Sequence, residues 1–205
     1  AISMNDTGRV VKFEMNDRCA AGTGKFLEIM ARSLGFSLEH FAAEALEAEK
    51  DIQINSMCTV FAESEVTSLV ARGEDRCNIA LGLHKSVVRR AVGMLRRVAG
   101  DGPVVFSGGV AKNRCMHRLL EETLQQAVMR AEEPQMTGAL GAALLAGAGA
   151  GVYGSAREAA AAVRPAGVRL VEPDAARHAA YRRLLEDGYV PMSAALHRLA
   201  AGSQP

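Results

Sequence analysis

The chain has 205 residues, of which 49% are hydrophobic and 23% charged, and its formal net charge is +1. That length accommodates one generous domain or a domain with an extension, and the composition falls in the range of a soluble globular protein. The balanced charge gives no reason to expect nucleic acid or an acidic membrane surface as a partner.

The longest apolar stretch, residues 138–152, is mostly Ala and Gly and too short to span a bilayer. The sequence gives no sign of a signal peptide, so a cytoplasmic, reducing setting is expected, with thiols rather than disulfides. Ala1 opens within a polar, strand-like phrase, from which a missing N-terminal portion is expected.

Arg9 to Met15 follows an Asp6-Thr7-Gly8 turn and reads as a strand. Gly22 and Gly24 break it. Leu27, Met30 and Leu34 then recur at helical spacing over Phe26–Leu34. Ser37 is placed to cap a second helix bearing Leu38, Phe41, Ala42, Ala45 and Leu46. A helix is expected over Glu63–Ala71, ended by Gly73. A long helix is expected over Ile79–Val98, with Leu83, Val87, Ala91 and Met94 on one face. Lys85, Arg89, Arg90, Arg96 and Arg97 lie on the other and read as a solvated face.

Gly102-Pro103 marks a turn, Val104–Phe106 a short buried strand, and Ser107-Gly108-Gly109 its end. A helix is expected from about Asn113 to Leu124, a short segment then reaches Pro134, and a small-residue helix follows over Thr137–Leu145. Alternation of strands and helices through residue 146 argues for α/β layers. From Ala148 the composition turns to Ala, Gly and Arg. Ser155 and Glu158 form a capping box for a helix through Val163, Val168–Val171 reads as a strand, and Asp174 can cap a helix through Leu185.

The four cysteines are Cys19, Cys58, Cys77 and Cys115, with no CxxC pair, which excludes zinc-ribbon and thioredoxin readings. Cys19 lies in Met15-Asn16-Asp17-Arg18-Cys19-Ala20-Ala21-Gly22-Thr23-Gly24-Lys25-Phe26, just before a Gly-rich loop that opens a helix. Loop amides and a helix N-terminus favour a phosphate and lower a nearby thiol pKa. The spacing fits neither a Walker A loop nor a dinucleotide fingerprint. Cys58 lies in Asn55-Ser56-Met57-Cys58-Thr59-Val60-Phe61-Ala62-Glu63, again shortly before a helix start. Cubane clusters usually take four thiolates, and two chains meeting across a two-fold axis would offer two plus two. The same residues read equally as small buried hydrophobes beside a Gly-rich turn.

These phrases resemble the signature segments of the activators of 2-hydroxyacyl-CoA dehydratases and ATP-dependent benzoyl-CoA reductases. The likeness runs from about Ala1 to Ala146. It includes Leu81-Gly82-Leu83-His84-Lys85-Ser86, Phe106-Ser107-Gly108-Gly109-Val110-Ala111-Lys112-Asn113, Pro134-Gln135, and Gly138-Ala139-Leu140-Gly141-Ala142-Ala143. The wording Ile54-Asn55-Ser56-Met57-Cys58 leans toward the benzoyl-CoA reductase type.

The resemblance implies an α/β chain of the actin/hexokinase-like, ribonuclease H-like ATPase fold. It implies a homodimer with one 4Fe-4S cluster at the interface, each subunit supplying two cysteines, here Cys19 and Cys58. ATP or ADP with Mg2+ would rearrange the helices around the cluster. An electron from a donor such as ferredoxin or flavodoxin would then pass at low potential to an acyl-CoA dehydratase or reductase component. Cys77 and Cys115 fall outside the matching phrases and read as structural.

By the same resemblance, Gly22, Thr23 and Gly24 lie near the phosphates, Gly108 and Gly109 beside the nucleotide, and Lys112, Asn113 and Gln135 near the adenosine. The glycine pair read by itself is a tight turn. Glu63 and Glu65 either line the adenosine cleft or serve the positive start of a helix, the latter preferred for Glu65. His84 reads as a packed or solvated imidazole, and His178 and His197 as surface residues.

Two departures qualify the likeness. The Asp- and Gly-containing hairpins of actin-like ATPases are missing, so catalytic residues are unassigned and the chain alone is expected to hydrolyse ATP poorly or not at all. The region 148–205 is similar to the C-terminus of xylulokinase-type (FGGY) sugar kinases, in Gly149–Tyr153, Val171–Asp174 and Leu196–Leu199. The expected organisation is therefore an ATPase and cluster-binding domain over 1–147 and a helical extension over 148–205. Two alternatives are a carbohydrate-kinase C-terminal part and an inactive nucleotide-binding module.

Overall fold

The computed structural model describes residues 1–16, 22–54, 59–98, 102–131, 133–163, 168–169, 183, 187, 191 and 192. Two strands open it: β1 (Ile2–Met4) pairs antiparallel with β2 (Val10–Phe13). The connecting turn is held by Asn5, whose Oδ1 accepts from the backbone N–H groups of Thr7 and Arg9, and Gly8 adopts φ +78°. This hairpin carries exposed apolar side chains, Val11 being 67% exposed.

Helices α1 (Thr23–Ser33) and α2 (Leu38–Leu46) follow as the apolar spacing predicts. Ser37 caps α2, its hydroxyl accepting from the His40 N–H at 3.3 Å. Helix α3 (Thr59–Ala71) begins four residues before the expected Glu63. Glu63 and Glu65 consequently lie beyond the first turn, too deep to serve the helix start. Gly73 ends α3 with φ +78°. The Glu74 N–H returns to Leu69 O and the Gly73 N–H to Val70 O, the paired bonds that let a glycine close a helix.

The centre of the molecule is α4 (Arg76–Val98), which packs against α1, α2, α3 and α5 (Arg114–Leu124). Leu83 and Val87 are buried as expected, but so are Ala80, His84, Ser86, Val88 and Val92, because helices cover α4 on several sides. Its basic face is only partly solvated. Lys85 pairs with Asp51, Arg89 donates to Ile54 O, and the Arg90 guanidinium lies over the Phe26 ring. Long alkyl stems let these cations pack while their heads find partners.

Beyond α4, β3 (Val104–Val105) runs parallel to β4 (Val128–Ala131), with α5 as the crossover, and β4 pairs antiparallel with β5 (Val168–Arg169). The strand expected to be buried over 104–106 is shorter, and Val105 is 62% exposed. Phe106 extends the ladder by one bond, N–H to Met129 O at 2.8 Å.

Helix α6 (Thr137–Gly149) has no buried residue, while α7 (Ala156–Ala162) packs on it. At α7 the Ser155 hydroxyl accepts from the Glu158 N–H, but the Glu158 carboxylate reaches the N–H of Gly154, one residue upstream of the usual box. Of the helix expected from Asp174 through Leu185, Arg183 is described and is helical, while His178 and His197 lie outside the described residues. Phe41, Met30, Ile54, Ile79 and Leu83 are fully buried and form one core shared by α1, α2, α4 and the 52–54 segment. No helix among the described residues is long and apolar enough to cross a membrane.

Candidate functional site

The predicted site residues fall into two groups. Gly22, Thr23, Gly24, Gly108, Gly109, Lys112, Asn113 and Gln135 are all described. Cys19 and Cys58 lie outside the described residues.

The first group converges on the carboxyl ends of the parallel pair β3 and β4, where open α/β sheets leave a crevice. Leaving β3, the chain passes through Gly108 at φ +88°, ψ 176°, a conformation essentially reserved for glycine. The Gly108 N–H donates to Pro134 O at 2.8 Å, tying this turn to the loop that follows β4. A Cβ built on Gly108, Gly109, Gly138 or Gly141 would meet nothing within 4 Å, so the backbone faces open space there.

Gly109–Lys112 then forms a 3-10 turn whose Ala111 carbonyl accepts from Arg130 Nη1 at 3.2 Å. The turn meets α1 at its start, where a Cβ on Gly24 would stand 3.6 Å from Val110 Cγ2. Both glycine phrases are thus neighbours. Gly22 is the N-cap of α1 and brings no capping side chain to the first amides of that helix.

After β4, Pro134–Met136 forms a second 3-10 turn. Gln135 Nε2 donates to Glu133, and Lys112 Nζ lies 3.8 Å from the same carboxylate. This ion pair is exposed on both sides and adds little to stability. Gln135 Oε1 is buried and has no partner among the described residues. An orphaned acceptor beside bare glycine backbone fits a ligand that offers hydrogen-bond donors, as an adenosine does.

Asn113 has a double task. Its Oδ1 accepts from the Met116 N–H at 2.9 Å and caps α5, while its Nδ2 donates to His84 Nε2 at 3.0 Å. His84 is fully buried against the Phe41 ring, and its Nδ1–H donates to Ala80 O at 2.7 Å. That arrangement requires the neutral imidazole. Burial pushes the His84 pKa from its ordinary 6.5 down to about 4, with the Ala80 carbonyl opposing weakly.

Burial, followed by the hydrogen bond to Glu44, raises the Cys77 thiol to about 11. Burial lifts Cys115 to about 12. Without a metal, both thiols are therefore less readily ionised than an ordinary cysteine. Among the described residues no group of three or more His, Cys, Asp or Glu could hold a metal ion.

The helices that follow the two cysteine phrases, α1 and α3, pack against each other. The sequence did not single out Gly82, Glu133 or Arg130, while His84, read as a packed or solvated imidazole, is packed. A glycine within a helix interior was the available signal for Gly82. The others depend on contacts between distant segments.

The sequence profile of the BadF/BadG/BcrA/BcrD ATPase family matches residues 1–146. The activator of lactoyl-CoA dehydratase from Anaerotignum propionicum is 49% identical over 146 residues, 71% of this chain and 56% of that protein. The (R)-2-hydroxyglutaryl-CoA dehydratase activating ATPase of Acidaminococcus fermentans is 43% identical over 141 residues, 69% of this chain and 54% of that protein. Among solved structures, the activator of the 2-hydroxyisocaproyl-CoA dehydratase from Clostridium difficile with bound ADPNP superposes with a TM-score of 0.67 at 34% identity. That alignment covers 81% of this chain and 60% of the activator. The chain spans little more than half the length of these relatives.

Proposed function

Because the chain belongs to the BadF/BadG/BcrA/BcrD ATPase family, we propose that it is the nucleotide- and cluster-bearing segment of an ATP-dependent activator of an acyl-CoA dehydratase. Its fold is the actin/hexokinase-like ATPase fold, in the α/β form.

The observation that carries the reading is the crevice at β3 and β4. Four glycines present open backbone there, the Gly22–Gly24 helix start adjoins through Val110, and Gln135 Oε1 is buried without a partner. A nucleotide fits that combination: the amides opening α1 suit phosphate oxygens, and the crevice floor suits the adenosine. In this reading Gly108 and Gly109 admit the nucleotide against the backbone, Lys112 and Gln135 border it, and Asn113 sets the direction of α5. Residues 1–147 form the working unit and 148–205 an extension.

Cys19 and Cys58 are the proposed cluster ligands. What supports them is their place in the phrases just ahead of α1 and α3, two helices that pack against each other, whereas Cys115 is fully buried and Cys77 is bonded to Glu44. Two thiols per chain require a second chain, so the cluster is shared by a homodimer. Bound there, a 4Fe-4S cluster supplies one-electron chemistry. The protein's own part would be to supply the four thiolates from the phrases that precede α1 and α3 in each chain. The electron donor is a low-potential carrier such as ferredoxin or flavodoxin, and the acceptor is the dehydratase component. The high identities to dehydratase activators favour that partner over a reductase.

An ADP titration by calorimetry tests the nucleotide reading. The unmodified chain is expected to bind ADP. Gly108→Ala is expected to weaken binding by about 10- to 100-fold, since a side chain at that φ and ψ costs on the order of 1–3 kcal/mol and the loop leaves its conformation. Gly73→Ala, equally positive in φ but at the end of α3, is expected to leave ADP affinity unchanged. Equal affinities for the unmodified chain and Gly108→Ala would refute this use of the loop.

A further inference from the structure

The loop after β4 presents a glutamine whose two amide prongs meet different surroundings. Gln135 Nε2 donates to the Glu133 carboxylate, which also lies 3.8 Å from Lys112 Nζ on the facing turn. Gln135 Oε1 is turned away from that carboxylate, buried and without a partner among the described residues. The backbone around the pair is pinned. The Met136 N–H donates to Glu133 O at 2.9 Å, and Pro134 O accepts from the Gly108 N–H at 2.8 Å and from the Thr137 hydroxyl.

With the backbone held, Glu133 decides which amide prong faces away from it. A half-turn of the last glutamine torsion exchanges the oxygen and the nitrogen. An ionised carboxylate only accepts, so it keeps the nitrogen prong and leaves the oxygen prong on the far side. Turning the amide over would set its oxygen against the carboxylate, acceptor against acceptor. Lys112 gives the carboxylate a second anchor from the Gly109–Lys112 turn.

We propose that Glu133 is a positioning residue for base selection. By fixing the Gln135 amide with its oxygen available as the acceptor, it makes the crevice prefer a purine that carries an amino group to one that carries a carbonyl in its place. This rests on the reading of the crevice as a nucleotide site. The base, rather than the sugar or the phosphates, belongs at Gln135 for two reasons. A carboxylate and a bare acceptor repel phosphate oxygens, which the amides opening α1 suit instead. A ribose hydroxyl donates or accepts as its proton turns and needs no fixed amide, whereas an amino group on the base only donates. Adenine offers that amino group, and hypoxanthine replaces it with a carbonyl. The carbonyl would leave two acceptors face to face, and a site built for one hydrogen-bond pattern rejects the other.

Calorimetric titration of the full chain with ADP and with IDP, which differ in the base alone, tests the proposal. The unmodified chain is expected to bind ADP about 10- to 100-fold more tightly than IDP, the range that one buried acceptor left unpaired accounts for. Glu133→Ala frees the amide to present its nitrogen, so IDP is expected to gain affinity and the ratio to fall toward one. Glu133→Gln keeps an acceptor for Gln135 Nε2 and restores part of the preference. Gln135→Leu is expected to weaken ADP and bring the ratio toward one. The Glu133 side chain is 68% exposed, so its replacement does not endanger the fold. A purely structural part for Glu133 would weaken both nucleotides alike and leave the ratio as it was.

Equal affinities of the unmodified chain for ADP and IDP overturn the proposal and leave the nucleotide reading standing. A preference that survives in Glu133→Ala or in Gln135→Leu overturns it as well. Binding of neither nucleotide overturns the nucleotide reading and the base selection together.

Discussion

Gly82→Ala is expected to destabilise the chain by about 2–3 kcal/mol, although alanine is the better helix former by about 1 kcal/mol. The cause is local. The new Cβ would stand 2.5 Å from Ile52 O, a backbone atom that cannot swing aside as a side-chain end can. Segment 49–54 has to lift from α4, loosening the Lys85–Asp51 pair, the Arg89 bond to Ile54 O and the packing of fully buried Ile54. Gly93→Ala on the same helix is the internal control. There the Cβ meets only Arg97 Nη1 at 4.0 Å, so the helix-propensity gain of up to about 1 kcal/mol should emerge undiminished. Urea unfolding of both variants reads the difference, and two shifts of the same sign would refute the close approach.

Acid is expected to remove about 3 kcal/mol of stability through His84 alone. Its folded pKa of about 4 lies below the ordinary 6.5, so the unfolded chain binds this proton and the folded chain refuses it. Stability from this source is complete above pH 6.5, falls as the pH drops toward 4, and is flat below that. The groups facing the ring are Phe41 from α2, Asn113 at the start of α5 and the Ala80 carbonyl, and none supplies a negative charge. Other titrating groups contribute to any acid profile, so the measurement is the stability of the native chain minus that of His84→Gln at pH 7 and pH 4. The difference should shrink by about 3 kcal/mol. A constant difference would mean that the imidazole is solvated or paired with a charge.

The local elements were legible because they depend on near neighbours. Phe26–Leu34 and Leu38–Leu46 show their apolar spacing, Ser37 and Ser155 their caps, and Gly73 its stop. The candidate site was legible as separate phrases. The Gly108-Gly109 pair stood after a strand, and Gln135 and Gly22–Gly24 stood in loops. Their meeting was not legible, because the Gly24 approach to Val110 and the Gly108 bond to Pro134 are tertiary events.

The largest misreading was α4. Its charges suggested a solvated face because periodicity reports one apolar stripe and α4 is covered from several directions, whereas His84, expected as a packed or solvated imidazole, is packed. The preferred place of Glu65 at a helix start failed for a different reason: α3 starts at Thr59, four residues before the expected Glu63, and helix boundaries are the least legible part of an apolar pattern.

The account stands or falls on the two cysteines. Anaerobic reconstitution of the chain with iron and sulfide, followed by an iron count per pair of chains and EPR after reduction, tests it most directly. The expected result is about four irons per dimer with a reduced-cubane signal, lost in Cys19→Ser and in Cys58→Ser and kept in Cys77→Ser. A chain that stays monomeric and iron-free, or one whose iron survives both Cys19→Ser and Cys58→Ser, would contradict it.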